Sequence, residues 1–178
     1  MTSTASQVVD LVRPAGRGPL DRDALLRVAE AVARRPHTWS AHLEPNARVR
    51  TYAALHRDAD LDLWAIFWVP DSDTGWHDHD VSSGAVHVVD GAIEEHVLRL
   101  GGPDRRHTHG AGAGAAFAFG PSQIHRLTCT VPRAISIHAY SPPLWRLGQY
   151  AVDADGELHR VSVSYADELR PLQAPAAA

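Results

Sequence analysis

The chain reads as a mainly β protein, a sandwich or barrel preceded by a short helical segment. Three observations predict this. From about residue 47, short runs rich in β-branched and aromatic residues follow one another, as in all-β folds and unlike alternating βαβ units. Compact turn signals separate the runs: DAD, PDSDTG, DG, GGPD, PSQ and DADG, with Asp90-Gly91 and Asp155-Gly156 as tight-turn dipeptides. Helical periodicity is confined to one stretch before residue 46.

Taken in order, residues 1–46 are expected to form an arm and a helix. Residues 1–19 contain Pro14, Gly16, Gly18 and Pro19 and read as a loose arm. Asp21 can cap a helix over RDALLRVAEAVARR, where Leu25, Val28, Ala29 and Val32 recur at helical spacing and Pro36 stops the run. Residues 47–165 are expected to form the barrel, with strands in VRTYAALHR, LDLWAIFWV, GAVHVVDG, AIEEHVLRL, GAAFAFG, IHRLTCTV, AISIHAY, GQYAV and ELHRVSV. The tail 171–178, PLQAPAAA, reads as frayed. No repeat of fixed period is present, and 178 residues suit one domain spanning 1–178.

Composition excludes several classes. The 17 basic residues are all Arg, against 21 acidic ones, and the net charge of −4 argues against nucleic acid or an anionic membrane as partner. A single cysteine, Cys129, excludes an internal disulfide framework and a Cys-rich zinc site. No apolar stretch reaches about 18 residues, and the N-terminus lacks a secretory hydrophobic run. A cytoplasmic location is expected. The sequence leaves monomer and dimer equally open.

His77 and His79 carry the chemistry. They lie one residue apart in GWHDHDVSSGAVHVVDG, and on a strand positions i and i+2 share a face. Two imidazoles on one face can chelate one metal, and a third waits at His125. Around these residues two segments resemble the two cupin motifs, which implies a double-stranded β-helix, a jelly-roll-like barrel. In the first, His77, His79 and the closing Gly91 match, while the motif's Glu falls on Ser83 or Gly84. In the second, Gly114 is followed by AAFAF, Gly120-Pro121-Ser122, Gln123-Ile124 and His125. Its turn Pro is displaced by one place, and its final Asn falls on Cys129. Three neutral imidazoles without the Glu leave a divalent metal its full charge, which favours an anionic ligand such as a thiolate and leaves room for O2. The second pair, His107-x-His109, lies between Gly-rich stretches and reads as exposed loop. His87 and His96 read as strand or surface residues, and His37, His42, His56 and His159 as structural or surface residues.

In AISIHAYSPPL, Ser136, His138 and Tyr140 alternate along one predicted strand and share a face. They can form a hydrogen-bonded relay aimed at a metal-bound ligand. With HDHDVSSGAVHVVDG and PSQIHRL, this stretch resembles the cysteine dioxygenase family of thiol dioxygenases over roughly residues 45–150. The resemblance implies Fe(II) held by His77, His79 and His125, and a small thiol oxidised to its sulfinic acid with both atoms of O2. It assigns Ser136, His138 and Tyr140 to the family's relay. It places Gly84 where animal members carry a Cys crosslinked to the Tyr, making this a bacterial type without that crosslink. It also implies a cis Ser141-Pro142 bond and a core role for Trp68.

The family's Tyr-x-Arg carboxylate clamp is reversed here, as Arg50-Thr51-Tyr52. Arg50, Tyr52 and Arg57 are therefore the candidate substrate contacts, an Arg fork being the natural partner of a carboxylate. Cysteine is the first substrate to expect, with 3-mercaptopropionate or a bulkier thiol such as ergothioneine as alternatives. A non-catalytic metal-binding cupin is the rival of a different class, and a cupin isomerase or hydrolase using zinc, nickel or manganese is a third.

Overall fold

The computed structural model describes residues 4–13, 18–99, 106–153 and 157–164. Two helices come first, α1 (Ala5–Val12) and α2 (Arg22–Ala33). The first corrects the expected loose arm. Thr4 and Gln7 form a reciprocal capping box, and Ala5, Val8 and Val9 are buried, so capping and an apolar face fix a helix there. Asp21 caps α2 as expected, its side chain accepting from the Ala24 backbone N–H. Two short 3-10 turns, Pro36–Thr38 and Ser40–His42, lead to the strands.

Twelve strands follow among the described residues: β1 (Thr51–Arg57), β2 (Asp62–Trp68), β3 (Ser72–Asp73), β4 (Trp76–Asp78), β5 (Ser83–Asp90), β6 (Ala92–Leu98), β7 (Arg106–Gly112), β8 (Ala116–Phe119), β9 (Ile124–Cys129), β10 (Ala134–Ser141), β11 (Arg146–Val152) and β12 (Leu158–Ser164). The predicted frayed tail, 171–178, lies outside the described residues. Five strands form one antiparallel sheet in the order β1-β2-β10-β5-β8. The other sheet runs β12-β11-β4-β9-β6-β7, with β3 joined to β9. The fold is mainly β, a cupin double-stranded β-helix.

The loop expected over His107-x-His109 is instead strand β7, paired along its whole length with β6 from Ala92↔Gly112 to Leu98↔Arg106. Glycine and histidine have little β propensity of their own, and cross-strand pairing overrides it. The Asp90-Gly91 turn falls where the dipeptide predicts. Gly91 has φ 70°, and a Cβ there would meet the Arg133 carbonyl oxygen at 2.1 Å, so only glycine fits.

Strand alternation divides the interior in two. Leu63, Ala65 and Phe67 of β2, Ala85 of β5, and Ile137 and Ala139 of β10 face out from the five-stranded sheet and pack with Leu25, Val28, Ala29 and Val32 of α2. His87 is buried on this side, where the charges of Glu30 and Arg34 reach it. The opposite parity, with Trp68, Val86, Val88, Phe119 and Tyr140, fills the barrel beside Leu127 and Leu147. Each fully buried large side chain contributes a few kcal/mol, so truncating Phe119 to Ala would cost about 3–5 kcal/mol.

Candidate metal centre

The three imidazoles meet inside the barrel. The short strand β4 carries His77 directly opposite His125 of β9, and His79 follows on the same face one residue past the strand's end. Asp80, in the left-handed conformation at φ 55°, then turns the chain toward β5, a backbone state that Asp tolerates better than most residues. The ring centroids lie 4.6–5.0 Å apart, and one donor atom from each ring lies within 4.8 Å of the others. All three rings are at most 2% exposed. Phe119 stacks on His79 at 4.6 Å and lies 4.4 Å from His125, walling the cluster.

Buried imidazoles shed their protons. Burial, reinforced by the His125 imidazole and Arg50, brings His77 down to about 3. Burial and His109 do the same for His125, and His79 is lowered well below the usual range. Neutral imidazole is the form that binds metal. The His77 Nδ1–H donates to the Gly75 carbonyl at 3.0 Å, which leaves Nε2 as the lone-pair nitrogen. His125 Nδ1 is engaged outward by Glu95, and its Nε2 is buried without a hydrogen-bond partner, as is His79 Nδ1. Orphaned nitrogens on neutral, converging rings fit a metal ion that accepts imidazole.

The relay is assembled on β10. Trp68 Nε1–H donates to Ser136 Oγ at 2.8 Å, Ser136 Oγ lies 2.8 Å from His138 Nε2, and His138 Nδ1 lies 3.1 Å from the Tyr140 hydroxyl. An indole can only donate. Ser136 accepts from Trp68, and among the contacts of its hydroxyl His138 Nε2 is the acceptor for its own proton. In that arrangement His138 is the Nδ1–H tautomer, which donates to the Tyr140 oxygen and leaves the phenolic proton for the cavity. Burial, with the charges of His125, Arg50 and His77, lowers His138 to about 3 and keeps it neutral. Burial and the nearby Asp62 raise the Tyr140 pKa, so the phenol stays protonated. Gly84 stands directly across the β5–β10 register from Tyr140, and the Ser141-Pro142 bond is cis.

A cavity of about 100 Å³ opens onto both groups. His77, His79, His125, His138 and Tyr140 line it together with Arg50, Tyr52, Trp64 and an apolar wall that includes Leu127, Leu144 and Leu147. Arg50 lies over the Trp68 ring at 5.2 Å, and its charge is felt at His77, His138 and Tyr140. Tyr52 is 48% exposed and meets Trp64 edge-on at the rim. Arg57, the other candidate clamp, does not line this cavity. Its guanidinium binds the buried Asp62 carboxylate at 2.6 Å and the Leu144 carbonyl at 2.8 Å, a structural tie that holds the cavity rim.

Two supports escaped sequence reasoning. Glu95, on β6, is 2% exposed. It accepts from His125 Nδ1 at 2.6 Å and from Gln123 Nε2 at 2.9 Å, while His109 Nε2 approaches its other oxygen at 3.0 Å. Since His125 is neutral, its contact with Glu95 is a hydrogen bond and not an ion pair. Burial raises the Glu95 carboxyl pKa, and His109, Gln123 and His107 oppose that rise. Asp78, between the first two imidazoles, points the other way. Arg160 of β12 grips both of its oxygens at 2.9 and 3.0 Å, and the Tyr150 hydroxyl donates to it as well. Burial pushes the Asp78 carboxyl up, but these donors outweigh it and bring it to about 2. Gly148 makes room for the clamp, because a Cβ there would meet the Arg160 guanidinium at 2.3 Å.

Among solved structures, the chain is similar to an uncharacterized conserved protein with a double-stranded β-helix domain from Klebsiella pneumoniae. The TM-score is 0.50 at 14% identity, covering 68% of this chain and 91% of the other. It is also similar to the TT1209 protein of Thermus thermophilus, with a TM-score of 0.50 at 12% identity, covering 58% and 92%. Identities this low show the fold alone. No helix among the described residues is long and apolar enough to cross a membrane. A family model described as cysteine dioxygenase type I matches residues 1–152, which takes in both helices, the three imidazoles and the β10 relay and ends before the strand of Arg160. A match over so much of its length means that the chain belongs to the cysteine dioxygenase type I family, whose cupin fold and thiol dioxygenase type of function it shares.

Proposed function

We propose that this chain is an Fe(II)-dependent dioxygenase that converts a small mercapto-carboxylate to its sulfinic acid, with O2 as co-substrate, in the cytoplasm. The observation that carries this reading is the convergence of three buried imidazoles, a buried phenol and an Arg on one small cavity. Ferrous iron held by His77, His79 and His125 would supply a charge that lowers the thiol pKa and a redox centre for O2 chemistry.

The protein's own groups bind and orient. Arg50 receives the substrate carboxylate, and Tyr52 and Trp64 shape the rim above it. Tyr140 donates its hydroxyl proton toward the reacting sulfur and oxygen, while Trp68, Ser136 and His138 hold that proton's direction. The apolar wall excludes water, which strengthens each of these interactions. A non-catalytic metal-binding module would have no use for so defined a hydrogen-bond chain.

Cavity size selects among thiols. A 150 Å³ apolar cavity takes up benzene, so about 100 Å³ suits a ligand of a few heavy atoms, and a bulkier thiol such as an imidazole betaine would extend past the open rim at Tyr52. Cysteine is the leading candidate. 3-Mercaptopropionate is favoured by one specific feature: no acidic side chain among the described residues lines the cavity to receive a substrate ammonium. The test is to load the protein with Fe(II) anaerobically, add each thiol, admit O2 and weigh the products. A product heavier by two oxygen atoms supports the reading. Disulfide as the sole product from every thiol would refute it.

A further inference from the structure

The ligand set of this centre lacks the carboxylate that would lower a divalent metal's charge, yet a buried carboxylate stands immediately behind it. Glu95 belongs to the inward parity of β6, where Ile93 is also buried. One oxygen receives His125 Nδ1 and Gln123 Nε2, and the other faces His109 Nε2. Its far side borders an outer groove also lined by His107, His109, Gln123 and Arg22. A side-chain amide nitrogen can only donate, so the oxygen that takes both Gln123 Nε2 and His125 Nδ1 is a double acceptor, as a carboxylate oxygen is.

We propose that Glu95 completes the metal centre from outside its ligand set: it holds His125 with Nε2 turned inward and brings the negative charge that three imidazoles lack, without occupying a ligand position. The inference rests on reading His77, His79 and His125 as the metal ligands. Glu95 is thus a positioning residue that acts through His125. A carboxylate behind a ligating imidazole fixes its tautomer and raises its basicity, and losing such a partner weakens metal binding about 10–100-fold. The arrangement separates two tasks that a ligating carboxylate would combine, namely lowering the charge and filling the coordination sphere.

The test uses Co(II), which needs no exclusion of O2 and reports its surroundings through visible absorption. Full-length wild type, Glu95→Gln, Glu95→Asp and His125→Ala are titrated against a competing chelator, and each is melted with and without metal. Glu95→Gln keeps the shape and an acceptor oxygen but removes the charge. It should bind Co(II) about 10–100-fold more weakly, with shifted absorption bands and a metal-free melting temperature close to wild type. Should that variant fail to fold, Glu95→Asp, which keeps the charge but withdraws it from His125, should show a similar loss and carries the same comparison. Binding within twofold of wild type with superposable spectra, while His125→Ala has lost the metal, would overturn the role of Glu95 and leave the three-imidazole centre standing. A weaker affinity matched by an equal loss of metal-free stability, with unchanged spectra, would also overturn it, by reducing Glu95 to a structural residue. Undiminished binding by His125→Ala would overturn the centre and this inference together.

Discussion

The chain carries two His-x-His pairs, and the barrel treats them differently. His77 and His79 are buried, and a third imidazole faces them across the β4–β9 register. His107 and His109 also share a strand face, but β7 lies at the end of its sheet and His107 is exposed. Their ring centroids are 6.1 Å apart, against 4.9 Å in the first pair. Across β6 they meet Val97 and Glu95, not a further imidazole. Spacing alone puts two rings on one face. Burial, which strips the protons, and a third donor from another strand make those rings a candidate metal site. The second pair is not idle, since His109 contacts the carboxylate that supports His125. One pair faces the candidate metal position, and of the other only His109 reaches the carboxylate behind it.

Breaking the two pairs should give unequal effects. His77→Ala or His79→Ala should lower thiol-dependent O2 consumption by at least about a thousandfold, since each removes a ligand of the proposed iron. His107→Ala should stay within about twofold of wild type. Comparable losses from both would erase the distinction.

Tyr140→Phe removes a proton donor but no ligand. Iron content should be unchanged, and turnover should fall roughly 10- to 100-fold, the worth of one strong hydrogen bond made at the reacting atoms. Unchanged turnover would remove Tyr140 from the proposed chemistry.

The contrast also has a pH signature. His77, His125 and His138 are held down to about 3 in the folded, metal-free protein, against about 6.5 when unfolded. Between these values the unfolded chain binds more protons than the native one, so stability falls as pH falls. The loss begins near pH 6.5 and continues toward pH 3, by up to about 1.4 kcal/mol per pH unit for each imidazole. Melting of metal-free protein across this range should show that decline. His107→Ala should leave it in place, and His138→Gln should make it shallower.

Arg160→Ala should have a modest effect. It removes the clamp on Asp78, and Arg160 is 38% exposed, so screening limits the loss to about 1–2 kcal/mol of stability. Metal affinity should weaken only a few-fold, through the loosened backbone between His77 and His79. Chemical denaturation and chelator competition measure the two effects separately.

Much of this was legible in the sequence because period-2 alternation is a local signal. It placed His77 with His79, and Ser136 with His138 and Tyr140, and the Asp90-Gly91 turn fell where the dipeptide says. Other features depended on partners that spacing does not reveal. Helix α1 was visible in principle, since Thr4 and Gln7 stand at capping-box spacing before Val8 and Val9, but the Pro and Gly residues after it masked the signal. β7 exists because β6 pairs with it. Glu95 had a trace in its parity with Ile93, an acid on an apolar face, yet its meaning depends on His125, 30 residues on. Arg160 meets Asp78 across 82 residues, and no local pattern announces such a pair. Arg57, chemically as fit for a carboxylate as Arg50, was drawn away by Asp62 and the Leu144 carbonyl.

Anaerobic equilibrium dialysis against Fe(II), with iron counted per chain, tests the three-imidazole centre most directly. The account predicts one ion per chain in wild type and in His107→Ala, and none retained in His125→Ala. An ion that survives the loss of His125, or departs with His107, would contradict it.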